Sequence, residues 1–182
     1  MTCTDEGFLQ VGETGFIPNS AKILIVKTDK KGTLLWKKEF SIGGHNLGNT
    51  AIETNDGYLI CGSLDQNSTL LKLNKTDGSV IFKKTYDLGG SDAFEHLAIT
   101  KDGVIAVGYI NADDNLNTFF TEGEGYVTFL SSDGTLLNGI NINMHLSLAY
   151  RIKLHNNEFI ISGLTDEATN YGLIKMNGSG EV

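Results

Sequence analysis

The stretch Asp56-Gly-Tyr-Leu-Ile-Cys-Gly62 decides the fold, because the same phrase recurs along the chain. Its counterparts are Glu6-Gly-Phe-Leu-Gln-Val-Gly12, Asp102-Gly-Val-Ile-Ala-Val-Gly108 and Asn157-Glu-Phe-Ile-Ile-Ser-Gly163. Each is a short apolar run next to turn residues, which is the pattern of a β-strand. We call Gly12, Gly62, Gly108 and Gly163 the repeat glycines. Between them, two further apolar strands flank a turn that ends at a hairpin glycine: Gly32, Gly78, Gly134 or Gly180. The chain is therefore an internal repeat of short strands.

The second repeat predicts four antiparallel strands, over 57–63, 69–74, 80–86 and 94–100. Asp-Gly and Gly-Gly in the intervening turns supply the positive φ that tight hairpins need. A repeat of this length with four strands is what one blade of a β-propeller contains. We therefore predict an all-β fold in a single segment over 1–182, with three complete blades plus the first half of a fourth. The repeats run approximately over 4–53, 54–99, 100–154 and 155–182.

Spacing locates the variable part of the repeat. From each hairpin glycine to the next repeat glycine the chain runs 30, 30 and 29 residues, whereas from repeat glycine to hairpin glycine it runs 20, 16, 26 and 17. Insertions therefore fall in one connection, between the first and second strands of each repeat. In a propeller, connections of one kind lie on one face, and loops on a rigid scaffold commonly carry binding. We predict that this face is the functional one.

The two longest of these loops span 13–21 and 109–125. The aromatic pair in the second loop either anchors a partner, as aromatic side chains do at interface centres, or folds back over the blade. The candidate interaction residues are Phe16, Ile17 and Pro18 in the first loop, and Asp113, Asp114, Phe119 and Phe120 in the second.

Composition excludes some partners. The 182-residue chain carries a net charge of -8 with a single arginine, Arg151, so it lacks the clustered basic surface that nucleic acid requires. No apolar run is long enough to span a membrane. Ten of the 14 basic residues lie in the hairpins of the first two repeats. We expect them on solvated edge strands, where lysine blocks edge-to-edge pairing, with a binding patch as the alternative.

Two hairpins carry a family resemblance. The stretches Ile25-Val-Lys-Thr-Asp-Lys-Lys-Gly-Thr-Leu-Leu-Trp36 and Leu71-Lys-Leu-Asn-Lys-Thr-Asp-Gly-Ser-Val-Ile-Phe82 resemble the repeats of bacterial-type β-propellers, both quinoprotein-like and surface-protein propellers. The resemblance covers the whole chain but specifies blade packing rather than chemistry. It implies an extracellular or periplasmic location and a structural role for Trp36 and Phe82, as fillers between adjacent blades. Quinoprotein propellers bind a pyrroloquinoline cofactor, but we carry over no cofactor-binding residue.

The sequence offers no catalytic, cofactor-binding or metal-binding constellation. Asp56 and Asp102 precede glycine in equivalent turns, where aspartate caps its own backbone. The four histidines occupy positions of the repeat that do not align, and none has the spacing of a zinc site. Only the loop 111–117 approaches a calcium-binding pattern, and it lacks oxygen ligands at regular alternate positions. Cys61 aligns with Val11 and is expected to be a small buried side chain.

Two functions fit these features. The first is a non-catalytic β-propeller scaffold that presents its loops to a protein or a glycan. The alternative is a part of a propeller enzyme or cofactor-binding domain whose site is completed by other blades. The fourth repeat stops before its third strand, so we expect the chain to be a segment of a larger propeller of about six to eight blades. Its expected partners then include the remaining blades, from the same or another chain.

Overall fold

The computed structural model describes residues 1–15, 21–44, 46–113, 122–156, 158–165 and 170–182. Within these ranges the secondary structure consists of β-strands and turns, with no α-helix. Accordingly, the described part of the chain includes no helix that would cross a bilayer. The chain forms two compact units, Met1–Tyr86 and Asp87–Val182. The all-β prediction is confirmed.

The first unit contains two antiparallel sheets in which the strands follow one another in chain order. Sheet 1 has three strands and sheet 2 has four. A short bridge between Thr2 and Phe8 adds to the free side of the first strand of sheet 1. The strands of sheet 1 are β1 (Phe8–Thr14), β2 (Lys22–Thr28) and β3 (Leu34–Phe40), and those of sheet 2 are β4 (Leu47–Thr54), β5 (Gly57–Leu64), β6 (Asn67–Leu73) and β7 (Val80–Tyr86).

The second unit repeats this arrangement with a four-stranded and a three-stranded sheet, again antiparallel and in chain order. Its strands reach six to nine residues, so they are of similar length to those of the first unit. Sheet 3 contains β8 (Ser91–Ile99), β9 (Val104–Ala112), β10 (Glu124–Leu130) and β11 (Leu136–Asn141), and sheet 4 contains β12 (Leu148–His155), β13 (Glu158–Thr165) and β14 (Asn170–Met176).

The grouping of strands differs from the prediction by one strand. The strand predicted over 94–100 was placed in the same blade as 57–63, but it forms β8 and pairs with β9 of the next repeat. The physical reason is the turn between them: Thr100 donates its backbone N–H to the Gly103 carbonyl, and so tight a turn joins only neighbouring antiparallel strands. The Gly89-Gly90 pair was expected to be a hairpin turn. Instead it leads from one sheet into the next, with φ of 129° and 60°.

A β-bulge in the first strand of three sheets explains the repeat glycines. The register shifts between Gly48 and Thr50 in β4, between Phe94 and His96 in β8, and between Ala149 and Arg151 in β12. Beside each bulge, the first strand approaches the second so closely that a Cβ on the repeat glycine would overlap a carbonyl oxygen. The oxygens belong to Leu47, Ala93 and Leu148, opposite Gly62, Gly108 and Gly163. Gly12 has no such neighbour, because β1 is the first full strand of its sheet.

The core of the first unit lies between its two sheets. We call the face of a sheet that carries the counterparts of Ile23 and Ile25 its forward face, and the opposite face its rear face. Trp36 is buried in this core and donates its indole N–H to the Lys75 carbonyl at 3.1 Å, so it joins sheet 1 to sheet 2 as expected of an inter-blade filler. Cys61, also as expected, is fully buried, on the opposite face of sheet 2. The forward face of sheet 1 contributes Leu9, Ile23, Ile25 and Trp36 to the core, and the rear face of sheet 2 contributes Tyr58, Ile60, Leu71 and Leu73.

The core of the second unit is built by the same rule. Side chains of the forward face of sheet 3 meet side chains of the rear face of sheet 4. Burial of apolar area at about 25 cal/mol per Å² is the main stabilising term in such an interface. The forward face of sheet 3 contributes Ile105, Val107 and Val127, and the rear face of sheet 4 contributes Phe159, Ile161 and Met176.

Two of the lysines expected on solvated edge strands are buried. Lys27 is 1% exposed and Lys72 is 9% exposed. The Lys27 ammonium lies 2.8 Å from Asp5 and donates to the Thr28 carbonyl, and the Lys72 ammonium lies 2.7 Å from Asp56. Both lysines occupy an inner strand of a sheet, and an acid in the turn before the neighbouring strand neutralises each charge.

Candidate interaction surface

The two ends of the strands are built differently. At one end, short turns closed by a side chain join the second and third strands of the repeat in sheets 1 to 3, and a similar turn follows β14 in sheet 4. Asp29 accepts the backbone N–H groups of Lys31 and Thr33, each at 2.8 Å, and Asn177 accepts those of Ser179 and Glu181. Asn74 and Ser131 cap the equivalent turns. The hairpin glycines follow at φ between 67° and 89°. The length of these turns therefore differs little from sheet to sheet.

The opposite end carries the connections whose length varies. In sheet 2 the connection consists of two residues, Asp65 and Gln66, with φ of 51° and 64°. The equivalent connections in sheets 1 and 3 lie within the predicted interaction loops, over 13–21 and 109–125. They are shorter than predicted, because β1 extends to Thr14, β9 extends to Ala112 and β10 begins at Glu124. The variable loops and the fixed turns thus lie at opposite ends of the same strands.

Asn46 organises this end in the first unit. It is 1% exposed, and its amide donates to the carbonyl of Ala21 at 2.7 Å and to that of Gly43 at 3.0 Å. Its carbonyl oxygen accepts the backbone N–H of Asp65 at 3.0 Å. Ala21 is the residue at which the chain rejoins β2 after the first loop. One buried side chain therefore fixes the base of the loop, the crossing between sheets and the β5–β6 turn.

The base of the second loop is also closed by specific contacts. The backbone N–H of Asp113 donates to the Glu122 carbonyl at 3.0 Å, so the strands remain paired up to that point. Asn111, with φ of 52°, donates its backbone N–H to the Gly89 carbonyl at 2.8 Å. Its side-chain amide donates to the Glu124 carboxylate at 3.0 Å, which also accepts from the Asn141 amide. The loop therefore begins and ends at a rigid neck.

The candidate interaction residues are only partly covered by the structure. Asp113 is exposed at the neck of the second loop. Within the described residues, no group of three or more His, Cys, Asp or Glu side chains is arranged to hold a metal ion. The suggested calcium loop lies only in part, over 111–113, within those residues. The other candidates, Phe16, Ile17, Pro18, Asp114, Phe119 and Phe120, lie outside the described residues.

The bulges place a second set of polar side chains that sequence reasoning missed. Each bulge carries two consecutive residues with polar groups: Asn49-Thr50, Glu95-His96 and Tyr150-Arg151. A bulge turns a side chain away from the regular alternation of the strand. The signal in the sequence was the distance from each pair to the repeat glycine, since the first residue of the pair precedes that glycine by 13 positions in all three repeats.

Within the second unit, the bulge side chains influence one another. Burial, with a further contribution from the Arg151 charge, holds the pKa of His96 below its ordinary value, so the imidazole is neutral at pH 7. The Nδ1 atom of His96 is buried and has no hydrogen-bond partner among the described residues. Burial, followed by Glu95 and Tyr171, raises the pKa of Tyr150. The first strands of sheets 3 and 4 therefore share a polar cluster of Glu95, His96, Tyr150 and Arg151.

Comparison with known proteins adds no identity. No protein-family model matches the chain, and no curated protein matches it.

Proposed function

We propose that the chain is a non-catalytic binding module of the β-propeller type, in which the sheets hold the loops over 13–21 and 109–125 for a protein partner. The contrast between the two strand ends carries the proposal. Turns at one end are each closed by a polar side chain at the start of the turn, whereas connections at the other end differ in length and chemistry. Loops on a rigid scaffold are the usual carriers of recognition.

Preorganised loop bases support this function. Asn46 ties the return of the first loop to two other segments, and the bond between Asp113 and Glu122 closes the second loop at its neck. A loop anchored at both ends loses less conformational entropy when it binds than a free one.

The chemistry of the second loop favours a protein with a basic surface. Residues 109–125 include Asp113, Asp114, Glu122 and Glu124 but no lysine or arginine. The same loop includes Phe119 and Phe120, and aromatic side chains within a polar rim are typical of interface centres. A glycan partner is the other outcome of the test below.

A loop exchange tests this proposal. Replacing residues 114–121 by Asn-Gly leaves Asp113 and Glu122 as the closing pair of a two-residue hairpin, so the strands stay in register. A phage-displayed peptide library and a glycan array supply ligands for the unaltered chain, and titration calorimetry measures their affinity. The exchange is expected to abolish binding, whereas Lys101→Ala, an exposed change near the opposite strand end, retains it. Equal affinity in the exchanged chain, or no ligand for the unaltered one, contradicts the proposal.

The polar cluster of the second unit favours one alternative function, a small-ligand or enzyme site completed by other blades. The observation behind it is the buried, unpartnered Nδ1 of His96 beside Arg151. Perturbed pKa values next to a specific charge are common at functional sites. NMR signals of the His96 ring, recorded against a library of carboxylate-bearing and polyol metabolites, test it. Under this alternative the ring signals shift with a ligand and the loop exchange leaves the shift unchanged.

A further inference from the structure

The forward face of sheet 4 is uncovered at positions that are buried elsewhere in the repeat. Tyr171 is 91% exposed and Leu173 is 68% exposed. They flank Gly172, the strand partner of the repeat glycine Gly163. In sheet 1 the equivalent residues, Ile23 and Ile25, flank the partner of Gly12 and are fully buried.

Sheet 3 shows the same rule within the second unit. Val127, the counterpart of Leu173, is fully buried against sheet 4, and Gly125, the counterpart of Tyr171, is also buried. In each unit, therefore, the forward face of the first sheet is covered by the rear face of the second sheet. This packing indicates which surface fits the forward face of sheet 4. It is the rear face of a sheet, with side chains at the positions of Tyr58, Ile60 and Leu71.

Sheet 1 has such a rear face, and it is incompletely covered. Phe8, the counterpart of Tyr58, is 40% exposed. Leu24 and Val26 of β2 lie on the same face and are only half-buried. Glu39, at 3.3 Å from Lys22 and 2.7 Å from Lys37, offsets one of these two lysine charges on this face. Each chain therefore carries two exposed faces, the forward face of sheet 4 and the rear face of sheet 1.

We propose that copies of the chain associate head to tail, with the forward face of sheet 4 packed on the rear face of sheet 1 of a second copy. The contact repeats the geometry by which sheet 1 packs on sheet 2 and sheet 3 on sheet 4. It is a heterologous interface, because two different surfaces meet. The proposal does not depend on the loops to which we assign binding.

Charge disfavours the alternative in which two sheet 4 faces meet each other. Arg151, Lys153 and Lys175 share the forward face of sheet 4 with Glu158, which pairs with Lys175 at 2.9 Å, so an isologous pair brings two sets of cations together. The second unit contains 13 acidic and 4 basic residues, whereas the first contains 9 and 10. Two strongly acidic units repel each other, and contact with the nearly neutral first unit avoids that repulsion.

Sedimentation of the full chain and two variants tests the proposal. The mass of the unaltered chain is expected to rise with concentration. In the double variant Tyr171→Lys, Leu173→Lys the forward face of sheet 4 can no longer pack on another sheet. Phe8→Lys disrupts the rear face of sheet 1 in the same way. Each of these two variants alone is therefore expected to remain monomeric. An equimolar mixture is expected to form a one-to-one dimer, because each variant retains the face that the other lacks. Leu137→Lys, at a residue 62% exposed on the outer strand of sheet 3, serves as the control and associates normally.

Three results overturn the proposal. The first is an unaltered chain that stays monomeric at every concentration. The second is association that only the sheet 4 variant abolishes, which indicates an isologous pair. The third is a mixture of the two variants that forms no dimer. Circular dichroism and the urea midpoint of each variant establish that a monomer is folded, so that loss of association is not loss of structure.

Discussion

Gly62 faces the backbone carbonyl of Leu47 so closely that a Cβ on residue 62 would overlap the Leu47 oxygen. Ala93 stands in the same relation to Gly108, and Leu148 to Gly163. The repeated glycine is therefore required by the approach of the bulged first strand, since none of these three glycines has a positive φ.

The first prediction follows from this contact. Gly62→Ala is expected to destabilise the chain by about 1–3 kcal/mol, because the first strand must move to accommodate the methyl group. Gly12→Ala is the matched control: no atom lies within 4 Å of its added Cβ. Removing a glycine from an ordinary backbone conformation stabilises by about 0.4–1 kcal/mol through the unfolded state. Urea unfolding of both variants measures the contrast, and equal midpoints contradict it.

A second prediction concerns Asn46. Asn46→Ala leaves the Ala21 carbonyl and the Asp65 N–H without their buried partner, each at a cost of about 1–3 kcal/mol. Asn67→Ala removes one exposed side-chain bond and is expected to change stability little. Hydrogen exchange at Asp65 is expected to accelerate in Asn46→Ala and not in Asn67→Ala. Unchanged exchange in both variants argues against the anchoring role.

Lys27 and Asp5 supply the third prediction. Asp5→Asn removes the negative partner of a lysine that is 1% exposed, and we expect a loss of about 1–3 kcal/mol. Lys27→Met in the Asp5→Asn background is expected to recover much of that loss, because a buried ion pair replaced by apolar groups is often neutral. Sheet 3 provides the precedent, with Phe129 at the position of Lys27. A double variant no more stable than Asp5→Asn excludes this account.

Acid stability gives a fourth prediction. Hydrogen bonds from Lys27 and from Lys72 lower the pKa of Asp5 and of Asp56, respectively. A carboxyl group with a lowered folded pKa stabilises fully above its unfolded pKa of about 3.9, and this contribution is lost as the pH falls through the folded pKa. The urea midpoint is therefore expected to fall below about pH 4. In the Asp5→Asn, Asp56→Asn double variant this acid dependence should be weaker, and an unchanged slope contradicts the assignment.

His96 gives the fifth prediction, in a different pH range. Its folded pKa is lowered, mainly by burial, so the unfolded chain binds the proton more readily. The neutral imidazole contributes stability above the unfolded pKa of about 6.5, and this contribution declines as the pH falls below that value. His96→Leu is expected to remove the dependence that begins below about pH 6.5. Ring signals that titrate at the ordinary value in the folded chain argue against it.

The sequence predicts the strand content well, because each strand is a short apolar run closed by residues with strong turn preferences. It predicts that Trp36 and Cys61 are buried, since their repeat positions are apolar. The grouping of strands is displaced because a periodic sequence does not show where one sheet ends. A Gly-Gly pair serves equally as a hairpin or as a crossing, and only the pairing of β8 with β9 distinguishes the two.

Prediction of the site is less complete for a physical reason. Loop length is readable from the spacing of the glycines, so the sequence indicates the long connection in which Asp113 lies, and the binding role of Asp113 stays a prediction. The anchors Asn46 and Asn111 were missed, because their partners are backbone groups distant in sequence. The polar cluster around His96 depends on bulges in two strands, and each bulge leaves only a pair of consecutive side chains with polar groups in the sequence.

The displaced grouping of strands has a consequence for how such a chain can lengthen. A stretch from Gly62 to Gly108 contains the last part of one sheet and the start of the next. Tandem duplication of that stretch within the gene would complete the sheet already begun and open an identical one, and every new strand would find a neighbour. A duplication bounded at the edges of a whole sheet would also keep each glycine with the bulge it accommodates, because the two lie in adjacent strands of one sheet. A duplication between two repeat glycines therefore leaves the pairing of the strands unchanged at each junction.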